Sequence, residues 1–275
     1  MNLLLVEPGE ITDAEVVLAD RRAEHLRGVL GSVVGSRVRA GIVGGGLGTA
    51  DVIADDGQRM TLRLSIVDPA PPPLAIELVL ALPRPKVLTR VLEAIASFGV
   101  ERIALTNAWR VDKSYLHSPR LAPAAIAQAL RLGAEQGATT HLPAISIHHR
   151  LMDLLDERWP AGEPAGDRVR LIAHPGGAPI ESAVRGGPEP SRSISVRSEA
   201  RNETSSWRGS PLRGPVTLAV GPEGGWIARE VETFVERGFV AVSLGSAILR
   251  VETAVAAALG QLVLLDRMSR PLRTG

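Results

Sequence analysis

The sequence predicts an α/β protein in which a small β domain precedes a larger domain built on a mostly parallel sheet. Three observations indicate this class. Strand-like runs alternate with helical patterns across residues 74–173, an order typical of parallel sheets with helices on their faces. Near the C-terminus, two strand-like runs each lead through a glycine-bearing loop into an amphipathic helix. A proline-rich stretch at residues 69–73 divides this region from alternating runs that precede it.

Residues 1–68 are expected to form the small β domain. Apolar and polar residues alternate at residues 38–42, 49–53 and 61–67, which predicts three strands. The glycine-rich segment 44–48 joins the first two runs, and no helix follows it. A hairpin turn is therefore favoured over a phosphate-binding loop.

The stretch at residues 69–73 predicts a stiff, extended linker, because proline fixes φ and favours polyproline II. The second domain should then span residues 74–275. Pro85 suits a first helical turn and Gly99 suits a helix end. We expect strands at residues 75–81, 103–106, 141–147 and 169–173, and helices from residue 85 towards 99, at 121–136 and at 152–159.

Residues 178–214 break this pattern. They are rich in Gly, Pro, Ser and Arg and show no period of 2 or 3.6. Such a segment cannot offset its ordering entropy by burial. An exposed, mobile insertion is the expectation.

Residues 216–259 organise the rest of the chain. The strand-like runs 216–220 and 240–244 are followed by the loops GPEGG and LGSAILRVETA. In parallel sheets, ligands bind outside the carboxyl ends of the strands, so both loops should line one site. Glycine in such loops lets the backbone bend sharply and approach a ligand.

These two loops resemble those of the SPOUT superfamily of RNA methyltransferases, which use S-adenosylmethionine (SAM). Within it, the chain is similar to the 16S ribosomal RNA (uracil-N3)-methyltransferase family. The resemblance rests on the residues Gly221, Pro222, Glu223, Gly224 and Gly225, and on Leu244, Gly245, Ile248, Leu249, Arg250, Glu252, Thr253 and Ala254.

The resemblance implies a PUA-like β-barrel for residues 1–68, followed by a SPOUT domain with a trefoil knot. It also implies a homodimer formed through the C-terminal region, with 16S ribosomal RNA of the small subunit as partner. SAM is the implied cofactor, held by three loops. The implied cofactor-binding residues are His174, Pro175, Gly176, Val220, Gly221, Glu223, Gly225, Leu244, Gly245, Ile248, Leu249 and Arg250.

The implied reaction moves a methyl group to N3 of a uridine. This nitrogen carries a proton, so the reaction needs a general base or stabilisation of the uracil anion. Arg250 is the candidate for the anion or a phosphate, although an ion-paired helix surface is its alternative. Glu223 could orient the substrate or complement the sulfonium charge, and a loop-stabilising hydrogen bond is equally compatible. Glu252 is more compatible with helix capping, and we assign no general base.

Basic and aromatic residues follow two predicted strand ends and are candidates for RNA binding. Trp109 and Tyr115 could stack a flipped base, with core packing as the alternative. In the β domain, the alternative for the Arg27 side chain is a solvated helix face. The candidate substrate-binding residues are Arg84, Lys86, Arg110, Lys113 and Arg27.

Composition restricts the other possibilities. Residues 1–68 hold 7 Arg and 10 acidic residues, a net charge of −3, whereas residues 74–150 hold 9 basic and 5 acidic residues, a net charge of +4. RNA is therefore expected at the second region. The absence of cysteine fits the cytoplasm and excludes thiolate metal sites. The apolar runs are too short to span a membrane. His148 and His149 lack a third ligand nearby, so no metal is expected.

Three other functions remain to be weighed. An arginine that often follows the Glu-Gln pair of the family is absent after Gln136, so a SPOUT methyltransferase with another RNA target is one alternative. A non-catalytic RNA-binding or ribosome assembly factor is a second. A nicotinamide dehydrogenase is disfavoured, because the sequence contains no strand, GxGxxG and helix series.

Overall fold

The computed structural model describes residues 1–162, 168–186 and 215–269. These residues form two six-stranded sheets and the helices around them. The strands are β1 (Leu4–Val6), β2 (Ile11–Thr12), β3 (Glu15–Leu18), β4 (Arg37–Ile42), β5 (Leu47–Asp55), β6 (Met60–Asp68), β7 (Leu74–Ala81), β8 (Val100–Thr106), β9 (Ala144–His148), β10 (Val169–Pro179), β11 (Val216–Val220) and β12 (Val240–Ser243). The helices are α1 (Arg21–Gly28), α2 (Pro85–Ser97), α3 (Pro123–Gly137), α4 (Leu151–Arg158), α5 (Ile180–Gly186), α6 (Ala228–Glu236) and α7 (Val251–Ser269).

The N-terminal sheet has the strand order β1-β4-β5-β6-β3-β2. Every neighbouring pair is antiparallel except β1 and β4. Met60, Leu62 and Leu64 of β6 alternate into the core, as half-buried strands do. The three strands expected from alternation are confirmed. The edge strands β1 and β2 do not pair with each other, so the described sheet is open.

The C-terminal sheet has the order β12-β10-β11-β7-β8-β9, and all of its neighbouring pairs are parallel. This confirms the predicted mostly parallel sheet. The residues of β7 from Ile76 to Ala81 are buried in succession, which is typical of a strand covered on both faces. On one side, α2 packs against both α3 and α7.

The predicted helices are confirmed, with ends that differ by a few residues. Pro85 occupies the first turn of α2, and Gly99 follows its end with φ +68°. Gly99 thereby adopts the left-handed conformation that stops a helix. No helix of the described residues is both long enough and apolar enough to cross a membrane.

Residues 178–186 were expected to begin an irregular insertion, but they form the end of β10 and the helix α5. Ala178 and Pro179 pair with β12, and Ile180 and Val184 of α5 are buried in the main core. The prediction of an irregular insertion is therefore wrong for residues 178–186. The i, i+4 spacing of the two buried residues was the missed signal. Residues 187–214 lie outside the described residues.

The two sheets are joined by a compact set of contacts around Glu135 of α3. Leu3 packs against Ala134, and the backbone N–H groups of Asn2 and Leu3 donate to the Glu135 carbonyl at 3.1 and 3.0 Å. The guanidinium of Arg21 donates to both carboxylate oxygens of Glu135 at 3.0 and 2.9 Å. The position of the N-terminal sheet on the parallel sheet therefore depends on a buried carboxylate.

Acid should destabilise the N-terminal sheet through Glu10. The buried guanidinium of Arg22 donates to the Glu10 carboxylate, and this hydrogen bond lowers the pKa of Glu10 below its ordinary 4.5. A lowered folded-state pKa gives stability that is present above the ordinary value and is lost as pH falls through the lowered one. We expect the thermal midpoint to fall as the pH decreases through 4.5 and below.

Circular dichroism melting curves across this pH range would test the expectation, with Glu10→Gln as the control. This variant has no titrating group at position 10, so its midpoint should fall less steeply with acid. Equal slopes for both proteins would show that Glu10 contributes nothing to the acid response.

Candidate active site

Three loops at the carboxyl ends of β10, β11 and β12 enclose a cavity of about 320 Å³. Because β10 lies between β11 and β12 in the sheet, their following loops meet at one edge. The two glycine-bearing loops predicted to share one site do line the same cavity. The remaining loop, which comes first along the chain, is the His174–Gly177 segment of β10.

Most of the candidate cofactor-binding residues line this cavity, and two do not. Those on the lining are His174, Pro175, Val220, Gly221, Glu223, Gly225, Leu244, Gly245, Ile248 and Leu249. Gly176 lies outside the lining, and its N–H donates to Nδ1 of His174 at 3.2 Å. Arg250 also lies outside it. The Arg250 carbonyl accepts from the Ala254 N–H at 2.7 Å in the first turn of α7, and its side chain is exposed.

The first loop is a bulge rather than the end of a strand. Ala173 and Ala178 of β10 both pair with Val242 of β12, so residues 174–177 loop out between them. A Cβ atom at Gly177 would lie 2.4 Å from the backbone nitrogen of Val242. Only glycine allows this approach, which brings the bulge against β12.

Replacing Gly177 by alanine should therefore destabilise the protein by about 1–3 kcal/mol, the usual cost of forcing an atom into a packed site. Urea unfolding would measure this change. Gly176→Ala is the matched control, because a Cβ there meets only the His174 ring at 3.4 Å, an ordinary contact. Equal stability of the two variants would show that β12 moves away from the bulge without penalty.

Hydrogen bonds connect the GPEGG loop to the loops that follow β7 and β8. Oε1 of Glu223 accepts from the backbone N–H of Arg84 at 2.9 Å. The guanidinium of Arg110 donates to the Gly224 carbonyl, and Gly225 has φ +70°, a conformation that favours glycine. The loop-stabilising interpretation of Glu223 thus has a direct hydrogen bond behind it.

Glu230 provides the helix cap that the sequence lacks at the start of α6. No side-chain cap exists at Ile227, as its residue type predicts. Instead, the Glu230 carboxylate accepts from the N–H groups of Ile227 and Trp109 at 3.0 and 2.8 Å. A glutamate at the third helical position is a recognised signal for this arrangement. It connects α6 to the loop after β8.

The candidate RNA-binding residues fall into two groups. The side chains of Arg84, Lys86 and Lys113 are exposed on the rim, and the residues that the structure describes offer them no hydrogen bond or ion pair. Arg110 lies on the cavity itself. Arg27 lies in the N-terminal sheet domain and donates to Asp55 at 2.7 to 2.9 Å. The Arg27 guanidinium is thereby already neutralised.

The two aromatic candidates have different environments. Trp109 is 79% exposed, so the core-packing alternative is wrong for this residue. Tyr115 is half-buried and packs against the main core. Stacking on a base is therefore open to Trp109.

Sequence reasoning did not single out several residues of the lining. Most are immediate neighbours of predicted ones, and Trp226 is buried with its ring 5.1 Å from that of Phe234. The missed residues are Ala173, Trp226 and Ser243, whereas Pro222, Gly224, Ala247, Val251 and Ala254 belong to the two loops that were predicted to line the site. Within residues 1–162, 168–186 and 215–269, no group of three or more His, Cys, Asp or Glu could hold a metal ion.

The sequence matches the family model described as an RNA methyltransferase domain over residues 70–263. The chain belongs to this RNA methyltransferase family. Two curated relatives extend the likeness over nearly the full chain. Ribosomal RNA small subunit methyltransferase E of Treponema pallidum is 28% identical and covers 94% of this chain and 89% of its own length. Ribosomal RNA small subunit methyltransferase E 1 of Borreliella burgdorferi is 25% identical, with 94% and 95% covered.

Solved structures show the same fold for this RNA methyltransferase. The ribosomal RNA small subunit methyltransferase E of Neisseria gonorrhoeae, bound to SAM, superposes with a TM-score of 0.66 at 22% identity over 96% of this chain and 98% of its own. A methyltransferase of Legionella pneumophila, also with SAM, gives the same score and identity over 96% and 97%. At 22% identity, both superpositions show the fold alone.

Proposed function

We propose that this protein transfers the methyl group of SAM to N3 of a uridine in 16S ribosomal RNA of the small subunit. The observation that carries the proposal is the cavity formed by the three loops after β10, β11 and β12 in a chain of the RNA methyltransferase family. The names of the two curated relatives point to the same substrate class.

The cavity fits SAM in size and in chemistry. Its volume of about 320 Å³ lies within the range of small-molecule sites. Apolar side chains such as Leu244 and Leu249 suit the adenine, while the glycine-rich backbone offers amide and carbonyl groups to the polar edges. The Glu223 carboxylate on the lining complements a positively charged sulfur. Bound there, SAM supplies an electrophilic methyl group.

The residues of the chain then have distinct roles in the transfer. Arg250 is placed at the end of the third loop with an exposed guanidinium, where it can contact the developing uracil anion or a phosphate. Glu223 holds the GPEGG loop against Arg84. We assign RNA phosphates to Arg84, Lys86, Arg110 and Lys113, whereas Arg27 in the β domain would contact a phosphate after exchanging its Asp55 partner for it.

We further propose a PUA-like barrel in residues 1–68, a linker at 69–73 and a knotted SPOUT domain in 74–275. The family match begins at residue 70, which supports the boundary. The knot is proposed from the resemblance of the two C-terminal loops, and α7, which follows the edge strand β12, packs back against α2.

A homodimer through the C-terminal region is also part of the proposal. Ile248 is 92% exposed, Leu264 55% and Met268 63%. All three line a separate, larger opening next to the loop that follows β12. Large apolar side chains exposed together mark interaction surfaces. Sedimentation equilibrium would show a dimer if this surface is an interface.

Methylation of isolated small ribosomal subunits that lack the modification tests the activity directly. With SAM labelled in the methyl group, we expect label on N3 of one uridine of the 16S RNA, identified by mass mapping. Label on another RNA would show that the protein has a different RNA target. RNA binding without methyl transfer would favour a ribosome assembly factor. Such an activity places the protein in the cytoplasm, where ribosomes assemble.

A further inference from the structure

A second cavity, of about 530 Å³, adjoins the candidate active site. The loop after β8 separates the two cavities, since Arg110 lines the first and Trp109 lines the second. The start of α6 also separates the two cavities, because Trp226 lines the first and Ile227 lines the second. A polymer that enters the first cavity would therefore pass the second.

Trp109 is the main apolar feature of this second cavity. Its side chain is 79% exposed, yet its backbone is anchored, because the N–H donates to Glu230 at 2.8 Å. An anchored and exposed indole offers a flat face at low entropic cost to a ligand. Nucleic-acid bases stack on such faces.

The charges around Trp109 favour an anionic ligand. Lys113, Arg150 and Arg229 line the cavity. Among the described residues, the Arg150 guanidinium pairs with Asp153 alone, at a long distance of 3.7 Å. The acidic residue on the lining, Glu230, uses both carboxylate oxygens on backbone N–H groups. The lining therefore carries three positive charges against the one negative charge of Glu230.

Asn107 adds a polar group at the base of the same loop. Its Oδ1 atom is buried and has no hydrogen-bond partner among the residues that the structure describes. Buried amide oxygens normally have a donor. Because this oxygen has almost no accessible surface, it does not contact a ligand in this conformation, and the case for the cavity depends on Trp109 and the cationic side chains.

We propose that this cavity binds a single-stranded RNA nucleotide next to the one that is methylated, with its base stacked on Trp109. Lys113, Arg150 and Arg229 contact the flanking phosphates. The inference rests on the proposed function, because the neighbouring cavity receives the target nucleotide. It accounts for an exposed tryptophan between two pockets.

Fluorescence anisotropy with a labelled oligouridylate tests the inference on the full chain. Trp109→Ala should weaken binding roughly 10- to 100-fold, the loss expected when one base loses its stacking partner. Trp109→Phe keeps an aromatic face and should remain within about threefold of the wild type. Arg229→Ala should weaken binding more than Arg90→Ala, which removes the same charge from an exposed position outside the cavity.

Oligouridylate binding to Trp109→Ala at wild-type affinity would overturn the inference. Binding of polyglutamate in place of the oligouridylate would also overturn it, since the cavity would then take an acidic protein segment. Calorimetric titration with SAM, run on the same proteins, reports on the proposed function separately. If SAM binds normally and Trp109→Ala binds the oligouridylate as tightly as the wild type, only the nucleotide subsite is rejected. If SAM does not bind, the methyltransferase itself is rejected.

Discussion

Replacing Arg250 by alanine is expected to lower kcat/KM for the RNA by roughly 100-fold, the typical loss when one group that stabilises developing charge is removed. The Arg250 side chain is exposed and lies outside the cavity lining. Its structural contact is the backbone carbonyl that caps α7, and alanine retains this carbonyl. The affinity for SAM should therefore stay unchanged.

Arg250→Lys is the control for this prediction. Lysine keeps the positive charge and loses the planar fork, so activity should fall less than in Arg250→Ala if charge dominates. Single-turnover methylation and calorimetric SAM titration of the three proteins separate transfer from cofactor binding. Full activity in Arg250→Ala would remove Arg250 from the mechanism and leave Arg110 as the cation on the cavity.

The elements around the site could be predicted because their signals are local. The strands β11 and β12 are short, valine-containing runs, the first followed by Gly221 and the second ending at Ser243, and α2 begins at Pro85 and ends before Gly99. Each signal depends on a residue's own backbone preference. Parallel strand order then brought the following loops to one edge of the sheet.

Other features depend on contacts between distant residues. His174-Pro175-Gly176-Gly177 is typical of a turn after a strand, yet β10 continues past this bulge because β12, far along the chain, offers it pairing partners. The exposure of Trp109 likewise depends on the start of α6, more than one hundred residues away, where Glu230 anchors its N–H. No local pattern reports such distances.

Glu135 shows the same limit most clearly. Its neighbours in sequence indicated only a helix, although its carboxylate side chain, 2% exposed, is the centre of the junction between the two sheets. Arg21, its partner, lies 114 positions away in α1. An acidic side chain this deeply buried requires a cation, and the sequence does not say which one.

Arg21→Ala should consequently cost about 3 kcal/mol of stability, because it leaves the Glu135 carboxylate buried without its cation. The value lies at the low end for buried pairs, since the Arg21 side chain is 37% exposed and water can partly replace it. Arg37→Ala breaks a comparable pair with Asp51 in the open, where the arginine is 68% exposed. Its cost should be much smaller, because water already solvates both partners.

Urea unfolding of the two variants measures this difference in stability. The number of unfolding steps also shows whether the Arg21–Glu135 pair couples the two sheets. If the Arg21–Glu135 pair couples the two sheets, Arg21→Ala should unfold in two steps, with the N-terminal sheet separating first. Adding Glu135→Met should then recover stability, because no charge remains buried. Equal losses for Arg21→Ala and Arg37→Ala would mean that the Arg21–Glu135 pair does not hold the junction, which would then depend on contacts such as those of Arg131 with Glu7 and of Leu3 with Ala134.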